Sequence, residues 1–388
     1  MFRTPLMIVG DGPQEPTGLG RIARDLAGLI HASDLPVELV QVGGSIPPIW
    51  KEWEHYPLDR SYGDWGASYI EALWQSRFGR TPGILWLIWD PGRLAAYREI
   101  QIPVQKWAYT AVDSTNINRT LGGPARVALE SFDRIIAYGR WGAGVIETLR
   151  HPVPYLPHGM TTEIYWPGAE WGGVSFVRSQ LGPYFQPNVQ KLVGCVATNQ
   201  PRKDLGLFCH TLAELRDGGI PVFGWLHTDT LVKDWAIPQL IDDFGLQRHL
   251  VVTMGEFTDD QLAAFYRACS VTIAPGLGEG FGYPIVESLA AGTPVVHGDF
   301  GGGAELIPKR EWRFPVRELR LDSVYALKRP VYRASDVVNA ILRIFEWQHL
   351  VGEDTTRAYC HGAVAHLDWL ALWPRWRSWI RQGLGLGH

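Results

Sequence analysis

The chain lacks most of the residue patterns that mark the common alternative functions. It has only four cysteines in 388 residues, Cys195, Cys209, Cys269 and Cys360, far apart and with no C-x-x-C pair. That excludes a disulfide scaffold and predicts free, buried thiols in a reducing compartment. No stretch approaches the roughly 18 to 20 apolar residues of a membrane span. The apolar start, residues 1–10, enters a Gly/Pro loop too early for a signal peptide, so the expected location is cytoplasmic, the host cytoplasm if the chain is viral. Basic charge is not in excess: 36 Lys and Arg face 40 Asp and Glu, a net charge of −4. No global field to hold nucleic acid is expected, although a local basic cleft stays open. There is no D-x-D, H-E-x-x-H or G-x-x-x-x-G-K-[ST], and no Cys/His spacing suited to zinc. No metal is expected.

What is present is an ordinary globular composition, 46% hydrophobic and 20% charged. At roughly 150 residues per domain the length suggests two. Short apolar runs at residues 6–9, 37–42, 84–88, 107–112, 134–138 and 153–156 read as buried strands. Helical spacing lies between them at 19–30, 69–78, 125–132 and 141–149. A second series has strands at 191–197, 222–226, 250–253, 271–274 and 293–297, with helices at 205–215, 237–244, 259–268 and 283–291. Such alternation predicts α/β architecture, two doubly wound Rossmann-like domains with parallel sheets. The boundary is expected within 167–188, giving domains of 1–170 and 188–365. The strand signal fades from about residue 321, and 335–346 and 354–373 read as helices. Ligands are expected at the carboxyl ends of the strands, in the cleft between domains.

The strongest motif is G-E-G-F-G-Y-P-I-V-E at residues 278–287. A strand ends in a glycine-rich turn, and a helix starts with Pro284 in its first turn, where proline is tolerated. Backbone N–H groups there suit oxygen-rich or anionic groups. Glu279 in the loop and Glu287 in the helix could both accept hydrogen bonds from the hydroxyls of one ligand. Read without a ligand, the same residues make a tight turn, a cap and a surface glutamate.

This segment resembles the E-x7-E element of the family 4 glycosyltransferases, retaining enzymes of the GT-B fold, and the resemblance extends over roughly residues 5 to 310. It implies that Glu279 contacts the donor-sugar hydroxyls and Glu287 the nucleotide ribose, with Phe281 and Gly282 offering N–H groups. V-A-T-N-Q-P-R-K-D-L at 196–205 resembles the family's diphosphate loop, so Arg202 and Lys203 would stabilise the leaving group. Thr198 stands where the family often has a further arginine. Gly18 and Gly20 in P-T-G-L-G-R would face the diphosphate from across the cleft, with Arg21 a helper. Read alone, they are a helix start or a loose Rossmann fingerprint. The long loop from Gly10 and Gln41 at the second strand's end count against a nicotinamide cofactor.

Asp113 in W-A-Y-T-A-V-D-S-T-N matches the family's acidic or histidine position near the reaction centre, although a helix cap reads similarly. Asp90 is a second acidic candidate. His158 in L-P-H-G reads as structural. His227 could touch the nucleotide or be a core histidine, and Glu305 could lie near the donor or be a loop acid.

The implied activity is metal-independent transfer of a sugar from a nucleotide diphosphate sugar, a UDP- or GDP-sugar, to a hydroxyl acceptor. The acceptor stays open among a glycan, a lipid-linked sugar, a metabolite and hydroxymethylpyrimidine DNA. For DNA, Arg119, Arg126, Arg140 and Arg150 are the basic candidates. The other readings are a non-catalytic nucleotide-sugar or glycan-binding protein and a nicotinamide oxidoreductase.

Eighteen tryptophans are unusual. Trp50, Trp53, Trp65, Trp74, Trp86, Trp89, Trp107, Trp141, Trp166 and Trp171 fall in the N-terminal half, and Trp347, Trp369, Trp373, Trp376 and Trp379 near the end. The fold family implies that a final helix, about 366–388, crosses back onto the N-terminal domain, and the last four rings would bury that seam. A membrane-interface helix or ring stacking are the alternatives.

Overall fold

The computed structural model describes residues 3–44, 51–58, 63–149, 152–167, 173–322 and 326–386. Trp50, Trp171 and Arg150 lie outside them. The chain divides into two compact units. Unit 1 is Met1–Gly159 with Trp369–His388, and unit 2 is Met160–Asp368.

Unit 1 carries a parallel sheet of β1 (Thr4–Gly10), β2 (Val37–Gly43), β3 (Glu54–Tyr56), β4 (Gly83–Ile88), β5 (Val104–Thr110) and β6 (Arg134–Ala137), in the order β3-β2-β1-β4-β5-β6. Leu6, Met7, Ile8 and Val9 of β1 have no exposed surface, as expected for a strand covered on both faces. The helices are α1 (Gly18–His31), α2 (Ala67–Phe78), α3 (Gly123–Glu130) and α4 (Arg140–Glu147). α1 begins where the Thr17 hydroxyl accepts the Gly20 N–H at 2.9 Å, an N-cap that satisfies one of the helix's orphan donors. Residues 153–156, expected as a strand, form only an isolated bridge, Tyr155 to Ala137. Leu156 N–H donates to Ala137 and Ala137 N–H to the Pro154 carbonyl, but Pro154 and Pro157 have no N–H to extend the ladder.

Unit 2 carries α5 (Gly173–Leu181) and then a second parallel sheet: β7 (Lys191–Val196), β8 (Val222–Thr228), β9 (Leu250–Met254), β10 (Val271–Ala274), β11 (Val295–Gly298) and β12 (Arg313–Phe314), in the order β12-β11-β10-β7-β8-β9. Between the strands lie α6 (Leu205–Asp217), α7 (Ile237–Asp243), α8 (Asp259–Ala268), α9 (Tyr283–Ala290) and α10 (Gly301–Ala304). α8 opens with a reciprocal Thr258/Gln261 capping box. An antiparallel ribbon of β13 (Glu318–Leu321) and β14 (Lys328–Val331) follows where the strand signal was expected to fade. β13 is exposed and β14 mostly half-buried, so no buried apolar run announces it. α5 likewise sits inside the segment expected to be the boundary.

α11 (Ala334–Val351), α12 (Glu353–Val364) and α13 (Trp369–Gly383) complete the chain. The helix expected over 354–373 is broken at 365–368. There Leu367 O accepts the Met160 N–H, and the Asp368 carboxylate accepts the Thr162 N–H and hydroxyl at 3.0 and 2.7 Å. α13 packs within unit 1. Trp376 Nε1 donates to Pro157 O and Trp369 Nε1 to Asp25, while Trp379 meets Trp86 and Trp107 at 5.5 and 5.0 Å between centroids. Arg134 lies 4.1 Å above the Trp379 ring. Trp373 is half-buried, and Trp347 belongs to α11 in unit 2. No described helix is long and apolar enough to cross a membrane.

Candidate functional site

In unit 2, β7 and β10 are neighbours although three strands apart in sequence, so the connections run outward in opposite directions from this pair. A doubly wound sheet opens a crevice at the carboxyl ends of such strands. The loops leaving β7 and β10 carry the strongest motifs of the sequence.

After β7, Pro201–Lys203 form a single 3-10 turn, and Asp204 adopts a left-handed φ of 41° as it caps α6 through the Leu207 N–H. After β10, Gly278 and Gly282 take positive φ values of 159° and 107°, which glycine adopts without Cβ conflict. The two loops are joined directly. Leu277 N–H donates to Arg202 O at 2.6 Å, and Arg202 Nη1 donates to Gly278 O and Glu279 Oε2, both at 3.2 Å. Lys203 Nζ donates to Glu279 Oε1 at 2.5 Å.

This is a compact charged cluster, with Lys203 and Glu279 side chains 12% and 13% exposed and Arg202 33%. Burial pushes the Glu279 carboxyl upward, but the Lys203 and Arg202 charges more than offset it and hold the group at about 2. Burial and the Arg202 charge lower Lys203 from its ordinary range, against the pull of Glu279. Two cations thus share one carboxylate, an arrangement in which both can turn to a ligand anion.

A glycine turn supports the acid from behind. Gly302 and Gly303 N–H groups donate to Glu279 O at 2.9 and 3.3 Å. A Cβ on Gly302 would stand 2.3 Å from Gly280 O, so only glycine fits this approach. Beneath it, fully buried His297 donates its Nδ1–H to Ala274 O at 2.6 Å. Burial lowers its ring below the usual histidine range.

Glu287 lies on α9, 4% exposed, and accepts the Tyr266 hydroxyl at 2.9 Å. Burial, then the Glu287 charge, push the Tyr266 phenol well above its ordinary range. Phe281 is nearly buried, and Gly282 is the N-cap of α9, whose first-turn N–H groups have no intrahelical acceptor.

Asn199 and Tyr266 were not singled out in the sequence. Asn199, fully buried, donates to Thr230 O and Trp235 O, accepts the Trp235 N–H, and donates its own N–H to Asp229. It staples the loop that bears Arg202 and Lys203 to the loop leaving β8. Its only sequence signal is its place just past a strand end.

His227, next to last in β8, is nearly buried, hydrogen-bonded through Nδ1 to the Thr253 hydroxyl and stacked on Phe257 at 3.8 Å. Burial drops its ring to about 4. Glu305 is exposed at the end of α10.

The remaining sequence-selected residues belong to unit 1. Gly20 is buried, and a Cβ there would stand 2.6 Å from Glu15 O, whereas Gly18 is exposed at the start of α1. Asp113 is half-buried three residues past β5, and Asp90 is exposed past β4. His158 is buried, within 3.1 Å of the Tyr109 hydroxyl, and burial with the Arg21 charge drives its ring well below the usual range. Among the described residues no three His, Cys, Asp or Glu side chains group as metal ligands.

Residues 190–343 match the family described as glycosyl transferases group 1. Over 234 residues, 57% of this chain, the sequence is 28% identical to a GDP-mannose-dependent alpha-(1-6)-phosphatidylinositol monomannoside mannosyltransferase of Mycobacterium tuberculosis. Over 111 residues, 26% of the chain, it is 32% identical to a D-inositol 3-phosphate glycosyltransferase of Streptomyces bingchenggensis. These matches span 52% and 24% of the two relatives' own lengths. Among solved structures, sucrose-phosphate synthase from Thermosynechococcus elongatus aligns with a TM-score of 0.75 at 15% identity, covering 99% of this chain and 100% of that one. The Anabaena HepE protein in complex with UDP and glucose aligns at 0.71 and 16%, with the same coverage. The chain therefore has the GT-B glycosyltransferase fold, and within it residues 190–343 are similar to glycosyl transferases group 1.

Proposed function

We propose that the chain is a retaining, metal-independent glycosyltransferase that moves a sugar from a nucleotide diphosphate donor to a hydroxyl acceptor. The observation that carries this reading is the cluster of Glu279, Lys203 and Arg202 at the junction of two loops. A diphosphate suits the two cations better than one carboxylate does, because it brings several oxygens and more charge. Its arrival would take Lys203 and Arg202 as partners and release Glu279 to accept hydrogen bonds from the donor sugar. The Glu279–cation pair keeps the acid ionised beforehand, so no proton has to be lost on binding.

As the glycosidic bond breaks, charge develops on the leaving diphosphate, and Arg202 and Lys203 are set to stabilise it without a metal. The acceptor hydroxyl attacks the anomeric carbon from the face the diphosphate leaves, and its proton passes to the departing diphosphate oxygen. Glu287, fixed by Tyr266, is assigned to the ribose, and Asp113 to the neighbourhood of the acceptor. The nucleotide sugars named for similar proteins, GDP-mannose among them, support a donor of this class.

The test is thermal stability against UDP, GDP and their sugars, with Glu287→Ala alongside. A ligand at one hundred times its dissociation constant adds about 2.7 kcal/mol, an upshift of a few degrees for domains of this size. We expect an upshift with one nucleotide that survives EDTA and vanishes in the variant. No shift with any nucleotide, on folded protein, would sink the reading.

A further inference from the structure

We propose that unit 1 holds a carbohydrate acceptor on a platform built from Trp65, Arg93 and Asp90. The inference rests on the transferase reading above and names the acceptor class that reading leaves open.

In unit 1 the connections diverge from β1 and β4, so the crevice of this sheet lies at the carboxyl ends of those two strands. Arg93, five residues past the end of β4, organises this edge. Its guanidinium lies 4.7 Å above the Trp65 ring and 5.7 Å from the Trp89 ring. It reaches Asp11, just past β1, at 3.7 Å and Asp90, just past β4, at 3.8 Å. The two indoles meet edge-on at 6.1 Å. Trp89 is fully buried, whereas Trp65 is 41% exposed.

The loop spends conformational strain to hold Trp65 there. Its φ is 54°, a left-handed conformation that bulky residues rarely adopt and that clusters at ligand clamps. Local contacts enforce it. The Tyr97 hydroxyl donates to Trp65 O at 2.6 Å, and Asp64 accepts the Gly66 and Ser68 N–H groups, both at 2.9 Å. The result is a partly exposed indole seated on Arg93, which also reaches the exposed Asp90 carboxylate.

Those two features match the two sides of a sugar ring. Its C–H face packs on an indole, and its hydroxyls donate to Asp90. The charge of the edge separates this ligand from a nucleic acid. The segments leaving β1, β4 and β5 carry Asp11, Glu15, Asp90, Glu99 and Asp113 against Arg93, Arg98 and Arg119. Arg93 is already shared between two aspartates. A neutral polyol meets no repulsion there, whereas a phosphodiester needs unengaged cations.

The experiment uses the full chain and saturation-transfer difference NMR with methyl α-glucoside, α-mannoside and α-galactoside. Alongside it runs the nucleoside diphosphate thermal shift, which reports on unit 2. We expect ring C–H signal from at least one glycoside, reduced about fivefold in Trp65→Ala and largely retained in Trp65→Phe. Asp90→Asn, a surface change, should weaken the same signal if Trp65→Ala proves poorly folded. An oligonucleotide duplex containing 5-hydroxymethylcytosine should not displace the glycoside. Undiminished signal in both Trp65→Ala and Asp90→Asn, no glycoside signal at all, or displacement by the duplex would overturn the proposal. Glycoside binding without any nucleoside diphosphate shift would overturn the transferase reading alone.

Discussion

At the residue scale, the proposed donor site depends on a carboxylate kept ionised by two cations. Glu279 sits at about 2 in the folded protein, below an ordinary glutamate at about 4.3. A lowered folded value contributes stability that is present above the unfolded value and is lost as the pH falls through the folded one. The window is therefore about pH 4.5 down to 2, and the contribution at neutral pH is on the order of 3 kcal/mol. Urea unfolding of the wild type and Glu279→Gln should differ most at pH 6 to 7, and the gap should close towards pH 2. A gap that stays constant with pH would mean that the ion pair contributes no linkage. The residue types of this cluster were legible from G-E-G-F-G and P-R-K. Their pairing was not, because 76 residues separate Lys203 from Glu279 and only the sheet order brings their loops together.

At the scale of elements, both charged loops are held by backbone geometry. The glycine turn of α10 donates two N–H groups to Glu279 O, and its close approach to Gly280 leaves no room for a side chain. Gly302→Ala should push this turn off the Glu279 loop. We expect a destabilisation of roughly 1–3 kcal/mol, as for overpacking, with at least partial loss of the nucleoside diphosphate shift. Crystallography or hydrogen exchange at residues 278–282 would check it, and an undisturbed loop would count against the support role. Strands and helices with buried periodic faces were readable from pattern. The ribbon of β13 and β14, the short β3 and β12, and α5 escaped notice because they bury too little apolar surface to impose a period. The run at 153–156 misled for the opposite reason: it is apolar but punctuated by prolines.

At the scale of the whole molecule, the C-terminal helix α13 is part of unit 1. Trp376 is fully buried against Trp86, Tyr109 and Trp379, and its indole N–H is satisfied by Pro157 O. Trp376→Ala would leave a large cavity, and losses of this kind run to about 3–5 kcal/mol. Unit 1 should therefore melt earlier in calorimetry, with the nucleoside diphosphate shift of unit 2 retained. An unchanged melting profile would show that α13 adds nothing to unit 1. The sequence placed these rings on one helical face, but a face does not name its partner.

Taken by itself, the sequence determined the α/β class, the two parallel sheets and the residue types of the charged loops. Buried strands must be apolar, and glycine is favoured where φ turns positive or backbones nearly touch, so these features are written locally. Only the tertiary structure decided that Glu279 pairs with Lys203 and Arg202, that Tyr266 holds Glu287, and that Trp65 stands strained above Arg93. Those contacts depend on which strand ends are neighbours in a sheet. Strand order is a property of the whole packed unit, and no short stretch of chain encodes it.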